Sequence, residues 1–393
     1  MAWRDNEGRL HSAPLCLSET FAVSGVIIGR EAEAMSTDHT PTKTISDFEA
    51  TLTKADTAVA AFERDDKSFI PVLRGYLRSY PTMIPALVLL ISVIGFSIIA
   101  PRFLGVGALS IVLKQVTVTG FVALAQTLII LTAGIDLSVG AILVVCSLIM
   151  GNLAVVTGLP VGIAVLVGMF FGGLMGFVNG VLVAKVKLPP FIVTLGTLSI
   201  FNALKLWYSQ SESIRNVDIE KTASGLLWFG KGFNVSGASI SYGGIALILL
   251  AAALWYVLNQ TAWGRHVHAI GDDPDAAMLS GINVSRTLIS VYAVAGLICG
   301  FAAWIAIGRV GSISPIAFET VNLGSITAVV IGGTSLFGGR GSIIGSVLGA
   351  FIVGVFNTGL SLAGVDDYWQ MFAAGCLVII AVALDQWLRR ASQ

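Results

Sequence analysis

From Met83 to the C-terminus, long apolar runs alternate with short polar connectors, whereas residues 1–80 are polar almost throughout. A bilayer-spanning helix needs about 20 apolar residues, within a range of about 17–25. On that criterion the pattern predicts about ten spans, near 83–100, 113–132, 138–157, 160–183, 191–208, 242–258, 287–306, 322–337, 341–362 and 368–388. The expected fold class is all-α, a polytopic membrane helix bundle over residues 81–390. Residues 1–80 read as a largely disordered polar tail. Its apolar patch, Phe21–Ile28, is too short to span and lacks an A-x-A cleavage site, so it is not read as a signal peptide. Met35 is a candidate true start, and Ser46–Phe62 carries a weak amphipathic pattern.

Two stretches interrupt the apolar pattern: Thr132–Gly140, TAGIDLSVG, and Ile331–Arg340, IGGTSLFGGR. Placing Gly134 over Gly333 superposes Asp136 on Ser335, Leu137 on Leu336 and Gly140 on Gly339. Paired breaks in two halves of a chain point to an internal repeat and to discontinuous helices beside a transport path. Gly134, Asp136, Ser138, Gly140, Gly332, Gly333, Gly338 and Gly339 are the break residues on this reading; chance likeness of two glycine-rich turns competes with it. Asp136 is costly near a bilayer unless it faces a cavity or a partner. It is read either as part of a cation site or, preferably, as a cap accepting from the amides of Val139 or Gly140. The small residues in Phe171–Gly180, FGGLMGFVNG, and in Gly345–Gly354 read as helix-packing surfaces.

Trp263–Arg286 is the polar segment of most interest. Asp273 suits an N-cap, Pro274 the first helical position and Gly281 a helix stop. Asp275, Ala276, Ala277 and Gly281 spell acidic-Ala-Ala-x-x-x-Gly, which looks like the coupling-loop motif of bacterial ABC import permeases, with Asp for the usual Glu. A plain solvated loop helix accounts for that short pattern equally well.

Composition narrows the function classes. The chain has 393 residues, 55% hydrophobic and 12% charged, against about 25% charged in soluble domains; its mean hydropathy is +0.86. A formal net charge of +0 argues against nucleic acid. Cys16 lies in the tail, while Cys146, Cys299 and Cys376 sit in apolar runs without C-x-x-C spacing, so neither zinc nor a disulfide framework is expected. His11, His39, His266 and His268 are too scattered for a metal, and the last two read as a solvated loop feature. There is no G-x-x-x-x-G-K-[ST], G-x-S-x-G or H-E-x-x-H. The chain is expected to be a pathway rather than an enzyme, drawing any ATP energy from a separate subunit.

Basic residues in short loops set the expected orientation. Arg74, Arg78, Lys185, Lys187, Arg265, Arg286, Arg340, Arg389 and Arg390 fall on one face if the number of spans is even. Both termini and Trp263–Arg286 are then cytoplasmic and Ser209–Ser241 external.

Three long segments together carry a family likeness: TLIILTAGIDLSVGAI at Thr127–Ile142, GRHVHAIGDDPDAAMLSGINV at Gly264–Val284 and AVVIGGTSLFGGRGSIIGSVLGAFIVGVFNTGL at Ala328–Leu360. In order and spacing they resemble the ribose-type monosaccharide ABC importer permeases, most of all the fructose and ribose import permeases. The resemblance covers residues 83–388 and implies a multi-pass protein of the bacterial inner membrane. It also implies a homodimer of this chain, an ABC ATPase subunit carrying ATP-Mg, and a periplasmic sugar-binding protein; no cofactor is expected on this chain. The ATPase-coupling residues would be Gly264, Arg265, Gly271, Asp275, Ala276, Ala277 and Gly281. Outer segments Ser209–Ser241 and Ile307–Val321, with Glu212, Arg215, Asp218, Lys221, Arg309 and Glu319, would dock the binding protein or be ordinary solvated loop. A neutral polyol needs hydrogen-bond partners, for which Gln126, Asn179, Thr194, Asn202 and Asn357 are candidates; some of them serve equally well to bond neighbouring helices. The competing function class is an ion- or proton-coupled carrier using Asp136.

Overall fold

The computed structural model describes residues 3–4, 10–11, 82–235 and 237–390. In the N-terminal unit β1 (Trp3–Arg4) pairs antiparallel with β2 (Leu10–His11). Phe21–Ile28, Met35 and Ser46–Phe62 lie outside the described residues.

The second unit is a helix bundle. Its first half comprises α1 (Met83–Ile99), α2 (Val106–Leu131), α3 (Val139–Gly151) continuing into a π-helical turn at Asn152–Val156, α4 (Val161–Ala184) and α5 (Pro190–Ser209). A short α6 (Asn216–Thr222), a 3-10 turn (Ser224–Gly230) and the hairpin of β3 (Gly232–Val235) with β4 (Ala238–Ser241) follow. Then come α7 (Tyr242–Gln260), α8 (Ala262–Asp272), α9 (Pro274–Leu279), α10 (Val284–Val310), α11 (Val321–Ile331), α12 (Ile343–Leu362) and α13 (Asp367–Arg390).

Among the described residues seven helices are long and apolar enough to cross a membrane: α2, α3 with its π turn, α4, α5, α7, α10 and α12. α1, α11 and the Asp367–Ile380 part of α13 are shorter apolar helices. The span expected at 322–337 is thus only partly helical. α11 stops at Ile331 because the Gly332-Gly333 pair caps it, and the chain runs irregularly to Ser342. α10 also continues to Val310, which moves Arg309 from the expected outer loop onto the last turn of a helix.

Burial follows the side chains. Every residue of α3 is buried, and α2 is buried without interruption from Gly120 to Leu131. A helix apolar on all sides belongs inside. The large exposed aliphatics instead lie on outer helices, such as Leu90 and Ile98 of α1, Leu166 of α4, Ile200 of α5 and Ile248 of α7. α4 runs along α10 through the expected glycine stripe. A Cβ at Gly172 would stand 2.5 Å from the carbonyl oxygen of Gly296, and one at Gly176 would strike the carbonyl of Tyr292. Without a hydrophobic drive between helices in lipid, such close backbone approach supplies the packing energy. Cys146 and Cys299 are buried free thiols in this core, and Cys376 is half-buried.

Candidate functional site: two helix breaks joined at the polar loop

The two breaks begin with the same local geometry. At the end of α2, Ala133 N donates to Ile130 O (2.9 Å) and Gly134 N to Ile129 O (3.1 Å). At the end of α11, Gly333 N donates to Val330 O (2.9 Å) and Thr334 N to Val329 O (3.1 Å). Each is the pair of backbone bonds of a Schellman cap, which needs one left-handed residue. Ala133 (φ 59°) and Gly333 (φ 84°) fill that position. The two breaks therefore correspond with Ala133 over Gly333, one residue away from the register that Gly134 over Gly333 implies.

Both breaks then meet the polar loop. Gly339 N donates to Leu131 O (3.0 Å), and its own carbonyl lies 3.0 Å from His268 Nδ1 on α8. A Cβ at Gly271 would collide with Leu131 O, and one at Gly338 would stand 2.6 Å from Gly271 O and 2.8 Å from Ala133 N. Gly271, Gly338 and Gly339 thus permit three backbones to converge. The second break is held internally by Ser335 N to Arg340 O (2.9 Å) and Gly338 N to Ser335 O (3.1 Å). His268 is accordingly half-buried against the break, not a solvated loop residue.

The loop itself is two helices, not one. Besides the helix expected after Asp273, α8 precedes it: Val267, Ile270 and Gly271 are buried while Arg265 is exposed, giving an amphipathic helix on the bundle's end. Thr261 starts it by accepting from Gly264 N (3.3 Å). Gly264 fits beneath the last turn of α7, where a Cβ would strike the Leu258 backbone. α9 follows the expected design. Asp273 Oδ1 accepts from Asp275 N (2.9 Å) and Ala276 N (3.0 Å), Pro274 occupies the first turn, and Gly281 at φ 82° ends the motif. Ala277 is buried, whereas Asp275 and Ala276 face outward with Met278 (60% exposed) and Leu279 (88% exposed).

Asp136 lies fully inside. Its Oδ1 accepts from both Ser138 N and Ser138 Oγ (2.6 Å each), and Asn179 Nδ2 donates to its Oδ2 (3.3 Å) and to Ser138 Oγ (2.9 Å). The bonds expected from Val139 or Gly140 do not form, because α3 begins only at Val139 and the carboxylate closes a tight turn onto Ser138 instead. With its amide turned to the orientation that satisfies both groups, Gln126 of α2 bridges the Asp136 backbone, donating to its carbonyl (3.1 Å) and accepting from its N–H (3.2 Å). Thr194 of α5 donates to Ile135 O (3.0 Å). Gln126, Asn179 and Thr194 are therefore brought together, all three buried around the first break.

Gly140 N is capped from across the bundle. Asn322, at the start of α11, accepts from Gly140 N and donates to Leu137 O, both over 2.6 Å. This staple joins the N-terminal ends of α3 and α11. Beside it a cavity of about 340 Å³ is lined by Gly140, Asn202, Lys205, Glu319 and Asn322, among others. A second cavity, of about 390 Å³, is lined by Gln115, Thr320, Thr327, Asn357 and Gln370, among others. Asn202 and Asn357 thus fall in different cavities, both bordered by α11. Asn322 and Lys205 escaped the sequence reading, although Lys205 stands inside the apolar run 191–208, where a charged side chain is itself a functional signal. Asn322 carried no such local signal.

Bilayer-length apolar helices, two interrupted helices and an exposed helix wired by backbone contacts to both breaks define a multi-pass membrane permease. The chain matches the family described as branched-chain amino acid transport system / permease component over residues 108–382, and it belongs to that family. It is 50% identical over 357 residues to the fructose import permease protein FrcC of Rhizobium meliloti, covering 91% of this chain and 99% of the relative. It is 40% identical over 302 residues to the ribose import permease protein RbsC of Bacillus subtilis (77% and 92% covered). To the D-allose transport system permease protein AlsC of Escherichia coli it is 34% identical over 307 residues (77% and 91% covered). No solved structure matches the chain.

Proposed function

We propose that this chain is the membrane permease of an ABC importer for a monosaccharide of the fructose or ribose class, moving it from the periplasm to the cytoplasm. The relatives' names favour a sugar over the amino acids of the family's title, and the fructose permease spans most of this chain. The observation that carries the mechanism is the contact of Gly271 and His268 with the turns that end α2 and α11. α9 projects from the same end with Asp275, Ala276, Met278 and Leu279 uncovered, an anchor for a separate ATPase subunit that holds ATP-Mg. ATP-driven motion of that subunit would push α8, and α8 bears directly on both breaks, a rigid-body route to alternating access. The α8–α9 end and both termini are then cytoplasmic, and α6 with the β3–β4 hairpin faces a periplasmic sugar-binding protein. Two copies of this chain form the path. The ion-coupled alternative loses ground because Asp136 is occupied in holding Ser138 and Asn179 to the break.

The test is Asp275→Arg in the whole transport system. Expected is a permease that still inserts in the membrane but co-purifies poorly with its ATPase and loses sugar uptake. An intact complex with normal uptake overturns the coupling role of α9. Uptake that collapses with an uncoupler and survives loss of the ATPase restores the ion-coupled reading.

A further inference from the structure

The 340 Å³ cavity has no assigned occupant, and its wall contains a buried lysine. Lys205 sits in α5, 7% exposed, inside a helix of otherwise membrane-compatible composition. Its Nζ is 3.9 Å from Glu319 Oε1, and it donates no hydrogen bond to any described residue. An ammonium carries three N–H donors. Burying one with only a loose ion-pair contact is costly, and apolar residues of similar volume in place of such a pair are often neutral or stabilising. Packing alone therefore gives no reason for a lysine there.

Asn202 lies one turn earlier on the same helix, close enough in spacing to share a face with Lys205. It too lines the cavity, and its side chain makes no hydrogen bond within the described residues. Glu319 stands across from Lys205, 64% exposed at the rim. Both amide ends of Asn322 are spent on Gly140 and Leu137, which makes it the floor. The open hydrogen-bonding capacity is thus an ammonium that donates, a carboxylate that accepts and an amide that does both. The volume lies within the ~300–1,000 Å³ of small-molecule sites.

We infer that this cavity binds the transported monosaccharide directly, with Lys205, Asn202 and Glu319 hydrogen-bonding to neighbouring hydroxyls. The inference rests on the sugar-importer reading and deepens it. Sugar hydroxyls both donate and accept, so they complete the ammonium and the carboxylate at once. The pair carries no net charge, which suits a neutral ligand. The floor is the junction of α3 and α11, so a sugar seated here lies against α11, whose other end leads into the turn that reaches α8 at His268.

The test uses the full chain with its ATPase and binding protein. Asn202→Cys, with Cys16→Ser and Cys376→Ser in the background, is labelled with a membrane-impermeant maleimide in the presence of D-fructose, D-ribose, D-allose or L-leucine. Expected is slowing of the labelling by at least one of the three sugars and not by leucine. Lys205→Met and Glu319→Ala are expected to lower sugar uptake by about tenfold or more, the scale of a lost charged hydrogen bond. Co-purification of the ATPase, retention of the binding protein and thermal stability should stay unchanged, and Lys205→Arg should restore part of the uptake. If Lys205→Met fails to insert, Glu319→Ala, at an exposed position, decides. Uptake in these variants within about twofold of the parent, or protection by leucine alone, overturns the inference while the importer reading stands or falls separately. A parent system that imports none of the sugars overturns both.

Discussion

The backbone N–H of Gly339 donates to the carbonyl of Leu131 over 3.0 Å, so the turn after α11 satisfies one of the last carbonyls of α2. Helix ends leave such carbonyls without an internal partner, and here the partner comes from the other break. Gly271 of α8 packs onto the same carbonyl. Displacing α8 must therefore move both breaks or separate this contact.

Gly271→Ala puts a methyl group into Leu131 O, with backbone on both sides and no flexible side chain to yield. Overpacking of this kind costs about 1–3 kcal/mol. Uptake should fall sharply and the unfolding midpoint should drop. Gly158→Ala, away from the coupling loop, is the control: it has open space and is strained only by its left-handed φ of 71°, about 1–2 kcal/mol. Equal effects of the two on uptake would contradict the convergence argument.

Asn322→Leu removes the staple and leaves Gly140 N and Leu137 O without their side-chain partner. Each buried unpaired group costs about 1–3 kcal/mol. Asn322→Asp keeps an acceptor for Gly140 and loses the donor to Leu137, so its stability should fall between parent and Asn322→Leu. Thermal unfolding of the detergent-purified chain gives the order, and an unchanged midpoint in Asn322→Leu refutes it.

Asp136→Asn retains an oxygen that accepts from Ser138 N and Oγ. If Asp136 holds the break together, uptake in this variant stays within a few-fold of the parent, whereas Asp136→Leu, which strands Ser138 and Asn179, loses it. A carboxylate used for ion coupling predicts equal collapse of both. Uptake measured with and without an uncoupler separates the two.

Met278→Ser with Leu279→Ser changes two outward side chains on α9. Exposed sites far from packing features alter stability by about 0.5 kcal/mol or less. The unfolding midpoint should hold while ATPase retention on an affinity column falls. Full retention would mean that another surface carries the docking.

Gly176→Leu should be the most damaging of the glycine changes in the α4 stripe, because the Tyr292 carbonyl fills the space of its Cβ. Overpacking costs typically about 1–3 kcal/mol and occasionally more. The variant is expected to yield little folded protein by size-exclusion chromatography, and a monodisperse peak at parental yield would refute the α4–α10 packing.

Much of the local architecture was readable without coordinates. The α9 helix is written in Asp273, Pro274 and Gly281, each of which acts through its own backbone neighbourhood. The breaks announced themselves as glycines in apolar sequence. α8 was missed because its inward face is narrow and much of the segment is polar, which reads as loop when the bundle beneath it is unseen. The repeat register slipped by one because Ala133 takes a left-handed conformation that its type does not favour, and the sequence marks Gly134 instead.

The order of apolar runs, their lengths and their glycine interruptions determined that this is an all-α membrane chain with broken helices, since in lipid a helix must satisfy its own backbone. Only the tertiary structure decided what the breaks do. Leu131 and Gly339, Gly140 and Asn322, Lys205 and Glu319 are far apart along the chain. Their meeting depends on how whole helices pack, which hydrophobic period and capping chemistry do not encode locally.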